Sequence, residues 1–206
     1  LYHKNRSRFE DIISRALKRY LNILTQRQKE KSEKSFVTYE WEVPADRLYK
    51  EDSNVVVDDV KNHALMPFVQ LRNASSPERK FEAYLETNTA YIDWWYKNGD
   101  SGKQHYAVSY VDGTGAKTLF YVDFIIRMKN GQIFLFDTKS VGSDADAPAK
   151  HNALIDYMAS EENKDKHLKG GVIIADGSNW KYSPLKIENT TDTINWDCFY
   201  PSDYKE

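Results

Sequence analysis

Three charged residues end or interrupt apolar stretches of this chain. Asp123 interrupts the stretch from Tyr121 to Ile126, and Asp137 and Lys139 close the stretch that begins at Phe134. In a strand, residues two apart point to the same face, so Asp137 and Lys139 are predicted to project side by side. The intervening Lys129-Asn130-Gly131 predicts a tight hairpin, since Asn-Gly tolerates positive φ. Pairing of the two strands would let both carboxylates converge on one point.

The chemistry open to this group follows from the cost of burying charge. Two carboxylates buried together are unfavourable unless a cation neutralises them. Mg²⁺ prefers carboxylate oxygens, and a neighbouring lysine can stabilise charge that develops during a reaction. These are the groups that metal-assisted hydrolysis of a phosphodiester needs. A glycosidase also uses two carboxylates, but its mechanism has no general place for the lysine.

The same residues resemble a known nuclease motif. Asp123, followed fourteen residues later by Asp137-Thr138-Lys139, resembles the PD-(D/E)XK nuclease superfamily. A longer pattern is similar to the C-terminal nuclease domain of type III restriction enzymes, over about residues 65–180. Val122 stands where the superfamily name has Pro, and Asp137 is a permitted alternative to Glu. The longer pattern comprises Trp94-Trp95-Tyr96-Lys97-Asn98, Val122-Asp123-Phe124-Ile125, Gly131 and Gly170-Gly171-Val172-Ile173.

The resemblance implies a fold and a set of site residues. The fold would be α/β, a restriction-endonuclease-like three-layer core with a central mixed sheet flanked by helices, plus an N-terminal helix. Asp123 and Asp137 would bind Mg²⁺, for which Mn²⁺ would substitute, and Lys139 would be the catalytic lysine. The backbone carbonyl of Thr138 would be a further ligand. Glu78 would complete the site, directly or through water, with Glu82 and Glu86 as competitors on the same helix.

Three further residues are candidates for contact with nucleic acid. Lys150 opens the helix after the Asp-Thr-Lys strand, a helix that often presents a polar residue to the scissile phosphate in this superfamily. Lys97 and Asn98 could contact the DNA backbone. Each also has an ordinary interpretation, because Lys150 could be a solvated helix-start residue and Asn98 could belong to an Asn98-Gly99 turn.

The resemblance also implies partners. The substrate would be double-stranded DNA, and a modification methylase subunit and the enzyme's own N-terminal helicase domains would act with the nuclease domain. ATP would be used only by that upstream translocase. The alternative is a catalytically inactive nucleic-acid-binding or interaction module of a helicase-like protein, and a weaker possibility is a repair-type or phage-type nuclease.

The elements that must position the site follow from hydrophobic spacing. An amphipathic helix is predicted within residues 9–24, in a basic region where the first forty residues hold ten Lys or Arg and five Asp or Glu. A second helix is predicted to start at Ser76 as N-cap, with Pro77 in its first turn. Residues 45–75 are predicted to be irregular. Strands are predicted at 36–43, 91–96, 105–111, 118–128, 132–139 and 170–175, and a third helix at 148–161. The domain boundary is placed between residues 64 and 65.

Composition limits the remaining possibilities. The 206 residues carry a formal net charge of −2, which excludes a histone-like mode of binding but permits a local basic surface. No apolar run approaches about 18 residues, so no membrane segment is expected. The Leu1 start and the absence of a signal-peptide pattern favour a cytoplasmic fragment of a longer protein, and lone Cys198 fits a reducing compartment. The scattered histidines do not predict zinc, and Asp112–Thr118 is predicted to be a hairpin loop rather than a phosphate loop.

Overall fold

The computed structural model describes residues 12–21, 23, 75–99 and 105–205, together with the backbone of residues 55–57 and 69–71. The chain divides into two compact units. One unit comprises residues 1–39 and 111–118, and the other comprises residues 40–110 and 119–206. The predicted strand at 36–43 lies outside the described residues. No helix in the described ranges is long and apolar enough to cross a membrane.

The first unit contains the predicted N-terminal helix. Helix α1 covers residues 12–21, inside the predicted range, and its apolar side chains Ile13, Leu17 and Tyr20 are each more than half exposed. The same unit contains the loop after Asp112. The Asp112 carboxylate accepts hydrogen bonds from the backbone amides of Thr114 and Ala116, which is typical of a self-capped turn and confirms the predicted loop.

The second unit contains the predicted α/β core, and its mixed sheet confirms the fold class. Its principal sheet has six strands in the order β10-β9-β8-β7-β6-β3, in which β7 and β8 are parallel and all other neighbours are antiparallel. Two smaller two-stranded sheets are formed by β1 with β2 and by β4 with β5. The bounds are β1 Val55–Val57, β2 Val69–Leu71, α2 Ser76–Thr87, β3 Ile92–Lys97, β4 Ala107–Val111, β5 Lys117–Tyr121, β6 Phe124–Met128, β7 Ile133–Lys139, α3 Ala147–Ala159, β8 Leu168–Asp176, β9 Asn179–Tyr182 and β10 Asp197–Cys198.

Several predicted element bounds were wrong. The single strand predicted for 118–128 is two strands, β5 and β6, which belong to different sheets and are separated by Val122 and Asp123. The region 45–75 was predicted to be irregular, yet β1 and β2 pair there. The N-cap of α2 is Ser75 rather than Ser76, because the Ser75 side chain accepts the Glu78 amide.

The two helices of the core pack against alternate side chains of the central sheet. Phe81 and Leu85 of α2 join a cluster that includes Phe134 and Phe136 of β7. Leu154 of α3 joins a second cluster that includes Leu135 of the same strand. Since neighbouring strand residues point to opposite faces, α2 and α3 cover opposite faces of the sheet and produce a three-layer core.

Two consecutive glycines allow the parallel pair at the centre of the sheet to approach closely. Gly170 and Gly171 have φ values of 141° and 138°. A Cβ at Gly170 would overlap the backbone carbonyl of Leu135 on the neighbouring strand, and one at Gly171 would overlap the imidazole of His151. That imidazole accepts a hydrogen bond from the Val172 amide at Nδ1. The absent side chains therefore make room both for the strand pairing and for the α3 contact.

Gly170→Ala is expected to destabilise the fold by more than about 3 kcal/mol, because the new methyl group meets backbone that has no rotamer to move away. Gly177→Ala is the matched control. Gly177 also has positive φ, at 63°, but open space surrounds its Cβ position, so only backbone strain of about 1 kcal/mol is expected. Urea denaturation measures the free energy of unfolding of both variants relative to the wild type. Equal losses in the two variants would show that close strand approach is not what requires Gly170.

Candidate functional site

The register of the central sheet places the two predicted aspartates next to each other. Phe124 of β6 pairs with Phe136 of β7, so the residues that flank this pair, Asp123 and Asp137, lie at adjoining ends of the two strands. The Asp123 amide donates to the Phe136 carbonyl at 2.9 Å, which ties Asp123 to β7 just before β6 begins. The structure thus brings together the two carboxylates that the sequence pattern predicted to converge.

Asp123 is fixed by the strands on both sides of it. Its Oδ2 accepts hydrogen bonds from the Thr138 amide at 2.8 Å and from the Thr138 hydroxyl at 2.6 Å. Its backbone carbonyl accepts from the Asn98 amide at 2.9 Å. Two donors on one oxygen set the carboxylate plane, so Oδ1 is directed by the fold rather than by solvent.

Asp137 is the most strongly buried charge in this group. Only 4% of the residue is exposed, and its Oδ1 accepts from Lys139 Nζ at 2.7 Å. Its other oxygen, Oδ2, is buried and has no hydrogen-bond partner among the described residues. Burial and the neighbouring Asp123 raise the pKa of Asp137 to about 6, although Lys139 opposes the shift. An unpaired buried carboxylate oxygen is costly and calls for a partner.

Lys139 stays protonated in this environment. Burial by itself would lower its pKa, but the carboxylates of Asp137 and Asp123 outweigh burial and raise the pKa above its ordinary value. A lysine of this kind cannot serve as a general base near neutral pH. It can donate hydrogen bonds to an anion and stabilise negative charge.

Glu78 and Lys97 extend the group toward helix α2. Lys97 Nζ lies 2.9 Å from Glu78 Oε2 and 3.6 Å from Asp123 Oδ1. The same ammonium lies 4.4 Å from the centre of the Phe124 ring. The Ser75 hydroxyl donates to Glu78 Oε1 at 2.8 Å, so the N-terminus of α2 holds this carboxylate in place.

The other two glutamates of α2 occupy different surroundings. Glu86 accepts from the indole Nε1 of Trp95 at 3.0 Å. Glu82 is buried on the side of the helix that carries Phe81 and Leu85. The structure links Glu78 to Asp123 through Lys97.

Two predicted nucleic-acid contacts are already engaged within the protein. Asn98 is buried, and its amide nitrogen donates to the carbonyls of Tyr106 and Val122 while its oxygen accepts from the Tyr106 amide. These bonds give Asn98 a structural role that explains its burial. Lys150 lies in the first turn of α3 and donates to Asp144 at 2.8 Å.

Sequence reasoning proposed Lys97 as a contact of the DNA backbone and did not anticipate its ion pairs. Lys97 lies two residues after Trp95, which packs in the same cluster as Phe81 of α2. A lysine that continues the buried face of a strand is the one sign that could have indicated an internal partner.

The residues fit a divalent metal ion bound by two carboxylates. In the described part of the chain, no three His, Cys, Asp or Glu side chains are grouped so as to hold a metal by themselves. Mg²⁺ needs fewer, since it is commonly bound by one or two carboxylates and keeps several waters. Asp137 Oδ2 is buried beside Asp123 and has no hydrogen-bond partner among the residues that the structure describes, so it is an oxygen that such an ion would satisfy. Thr138 follows Asp137 in the sequence and donates two hydrogen bonds to Asp123, but a role for its carbonyl stays a prediction.

Comparison with family models, curated proteins and solved structures gave no significant match to this chain. The site residues, the sheet that positions them and the motif resemblance are therefore the basis for a function.

The raised pKa of Asp137 predicts an inverse dependence of stability on pH. Between about 3.8 and 6 the unfolded chain has released the proton that the folded chain still holds, so stability falls as pH rises through this window and the loss stays constant above it. The loss is roughly 3 kcal/mol. In the absence of divalent metal, the melting temperature of the wild type relative to Asp137→Asn should decrease from pH 4 to pH 6.5.

The control for this comparison is Asp156→Asn, which removes an exposed carboxylate paired with Lys186 and measures the general effect of losing one negative charge. A wild-type curve that runs parallel to that of Asp137→Asn across the window would contradict the assignment of the raised pKa to Asp137.

Proposed function

We propose that this chain is a Mg²⁺-dependent endonuclease domain that hydrolyses phosphodiester bonds of double-stranded DNA, of the kind found in the restriction subunit of type III restriction enzymes. The observation that carries the proposal is that Asp137 Oδ2, beside Asp123 and the protonated Lys139, is buried and has no hydrogen-bond partner within the described ranges. Carboxylates for a metal and a neighbouring ammonium are the groups that metal-assisted phosphodiester hydrolysis requires.

The topology supports the same proposal. The core runs from α2 through β3, β6 and β7 to α3 and the parallel strand β8. The two aspartates lie at adjoining ends of β6 and β7 in the central sheet. This helix, strands, helix, strand order is compatible with the three-layer core that the motif resemblance implies.

Each residue has a role that follows from its contacts. Asp123 and Asp137 would hold the Mg²⁺, with the Thr138 carbonyl as a predicted further ligand, and Mn²⁺ would substitute. When bound, the ion would polarise the phosphate and lower the pKa of a water molecule. Thr138 fixes the Asp123 carboxylate through its amide and hydroxyl. Lys139 would stabilise the negative charge that develops on the phosphate oxygens.

The partners in this proposal follow from the motif resemblance. They are a modification methylase subunit and helicase-type domains upstream in the same polypeptide, which alone would use ATP, in the bacterial cytoplasm. Lys150 and Lys97 remain the proposed contacts to nucleic acid. Asn98 is omitted from this set, because both ends of its amide are engaged by backbone.

One observation favours the alternative of an inactive nucleic-acid-binding module. Lys97 is paired with Glu78 and Asp123, and Lys139 is paired with Asp137. These internal ion pairs lower the free-energy cost of burying the carboxylates when no metal is bound, so the fold could persist after catalysis was lost. Binding of Mn²⁺ that depends on Asp123 and Asp137 separates the two functions.

Asp137→Asn is expected to reduce DNA cleavage by about 100-fold or more while the chain stays folded, because it removes a metal ligand. Lys139→Met should cause a loss of similar size by removing charge stabilisation. The assay is nicking and linearisation of supercoiled plasmid in Mg²⁺ or Mn²⁺. Circular dichroism checks folding, and Asp156→Asn, which alters an exposed ion pair on α3, is the matched control.

Metal binding gives a second readout that does not depend on DNA cleavage, which is expected to be slow without the upstream translocase. Mn²⁺ should raise the melting temperature of the wild type and of Asp156→Asn, and should not raise that of Asp137→Asn. Full cleavage by folded Asp137→Asn, or an Mn²⁺ shift that survives this substitution, contradicts the proposed site.

A further inference from the structure

We propose that the Lys97 ammonium occupies the place of a second divalent cation, so that the site binds one metal ion rather than two. The inference rests on the proposed function and concerns the same site. It makes Lys97 a positioning residue that sets the metal stoichiometry, in addition to any contact with nucleic acid.

Lys97 Nζ lies between Glu78 Oε2, at 2.9 Å, and Asp123 Oδ1, at 3.6 Å. Two carboxylate oxygens from different elements that converge on one point provide the kind of bridge that a hard divalent cation favours. In this protein the Lys97 ammonium, a cation that belongs to the chain itself, already occupies that point.

The site has two parts, one on each side of Asp123. Toward α2, Asp123 Oδ1 and Glu78 share Lys97. Toward β7, Asp137 Oδ2 is buried and has no hydrogen-bond partner in the part of the chain that the structure describes. Asp137 Oδ2 is therefore able to bind a metal ion, whereas the carboxylate of Glu78 is already neutralised by Lys97.

The charges lead to the same stoichiometry. By formal charge, the three carboxylates Glu78, Asp123 and Asp137 and the two ammonium groups Lys97 and Lys139 sum to −1. One divalent ion changes this charge to +1, which matches the single negative charge of a phosphodiester. A second divalent ion beside Lys97 would leave the site strongly positive and would repel the ammonium at short range.

Lys97 is held firmly enough to resist displacement. Its side chain is only 14% exposed, and its ammonium lies 4.4 Å from the centre of the Phe124 ring. The following residue, Asn98, is fixed by three hydrogen bonds to the backbone of Tyr106 and Val122. A mostly covered lysine with an aromatic contact and two anionic partners loses more on displacement than a fully exposed lysine does.

The test is to count bound ions. The full 206-residue chain is titrated with Mn²⁺ at pH 7.5, and free Mn²⁺ is measured by its paramagnetic resonance signal. The wild type is expected to bind about one ion at the site, and Lys97→Gln about two, because removal of the ammonium exposes the Glu78 and Asp123 oxygens to the solvent metal. Lys97→Met, which keeps the aliphatic stem over Phe124, is the second variant and should also bind about two.

Lys181→Gln is the matched control and should bind as many ions as the wild type. Lys181 is a similarly covered lysine, 22% exposed, in an ion pair with Asp176 at 2.8 Å. Glu78→Gln gives an independent check in a chain that retains Lys97. It should keep one ion, since Glu78 is expected to take no metal while Lys97 is present.

Each outcome bears on the proposal. Two site-bound ions in the wild type, one ion in both folded Lys97 variants, or a loss of the ion in Glu78→Gln would overturn it. In the first and third cases the proposed endonuclease function would stand, provided that binding still requires Asp137. A wild type that binds no Mn²⁺ at all would overturn both the stoichiometry and the proposed function.

Discussion

The pair of hydrogen bonds from Thr138 to Asp123 is the interaction on which the rest of the site depends. Asp123 lies in the break between β5 and β6, where the chain leaves one sheet and enters another. Its side chain accepts from the amide and hydroxyl of Thr138, and its backbone bonds to Phe136 and Asn98. One residue thereby joins β3, β6 and β7 at the ends where Lys97 and Asp137 lie.

This arrangement has a cost in stability that its lysines only partly offset. Desolvation and the proximity of Asp123 raise the pKa of Asp137, which means that the folded state holds the ionised form unfavourably at neutral pH. Lys139 donates to one oxygen of Asp137, and the other oxygen is buried with no hydrogen-bond partner in the described part of the chain. Groups that a protein retains at such a cost are concentrated at functional sites, since substitution by a neutral residue would relieve the strain.

The sequence pattern predicted those parts of the site that arise from neighbouring strands. Strand alternation and the Asn130-Gly131 hairpin were enough to place Asp137 and Lys139 side by side and to bring Asp123 toward them, because the register of a short hairpin follows from its turn. The family resemblance remains a prediction, since no comparison tests it. The break at Asp123 was missed, because an apolar run with one charge has the same alternation whether it is one strand or two.

Contacts between distant elements could not be predicted in this way. The pairing of Lys97 with Glu78 joins the end of β3 to the first turn of α2, and no local pattern encodes how that helix lies on the sheet. The N-cap was displaced by one residue because Ser75 and Ser76 are equally good capping residues in sequence, and only the hydrogen bond to the Glu78 amide distinguishes them. Strands β1 and β2 are three residues each, too short to show a period.

The aromatic packing beneath the site explains why its charges are preorganised. Phe81 of α2 contacts Phe124 and Phe136 edge to face, with ring centres 5.2 and 5.7 Å apart. Phe124 also lies under the Lys97 ammonium, and Phe136 directly precedes Asp137 in β7. Rigid rings that interlock in this way resist sliding of the helix along the sheet, because a shift would open voids in a close-packed core. The distance from Glu78 to Lys97 and the spacing of the aspartates are consequently fixed by one cluster. Charges held by such a core need little reorganisation when an anion approaches, which is the condition under which fixed ammonium groups stabilise developing charge most effectively.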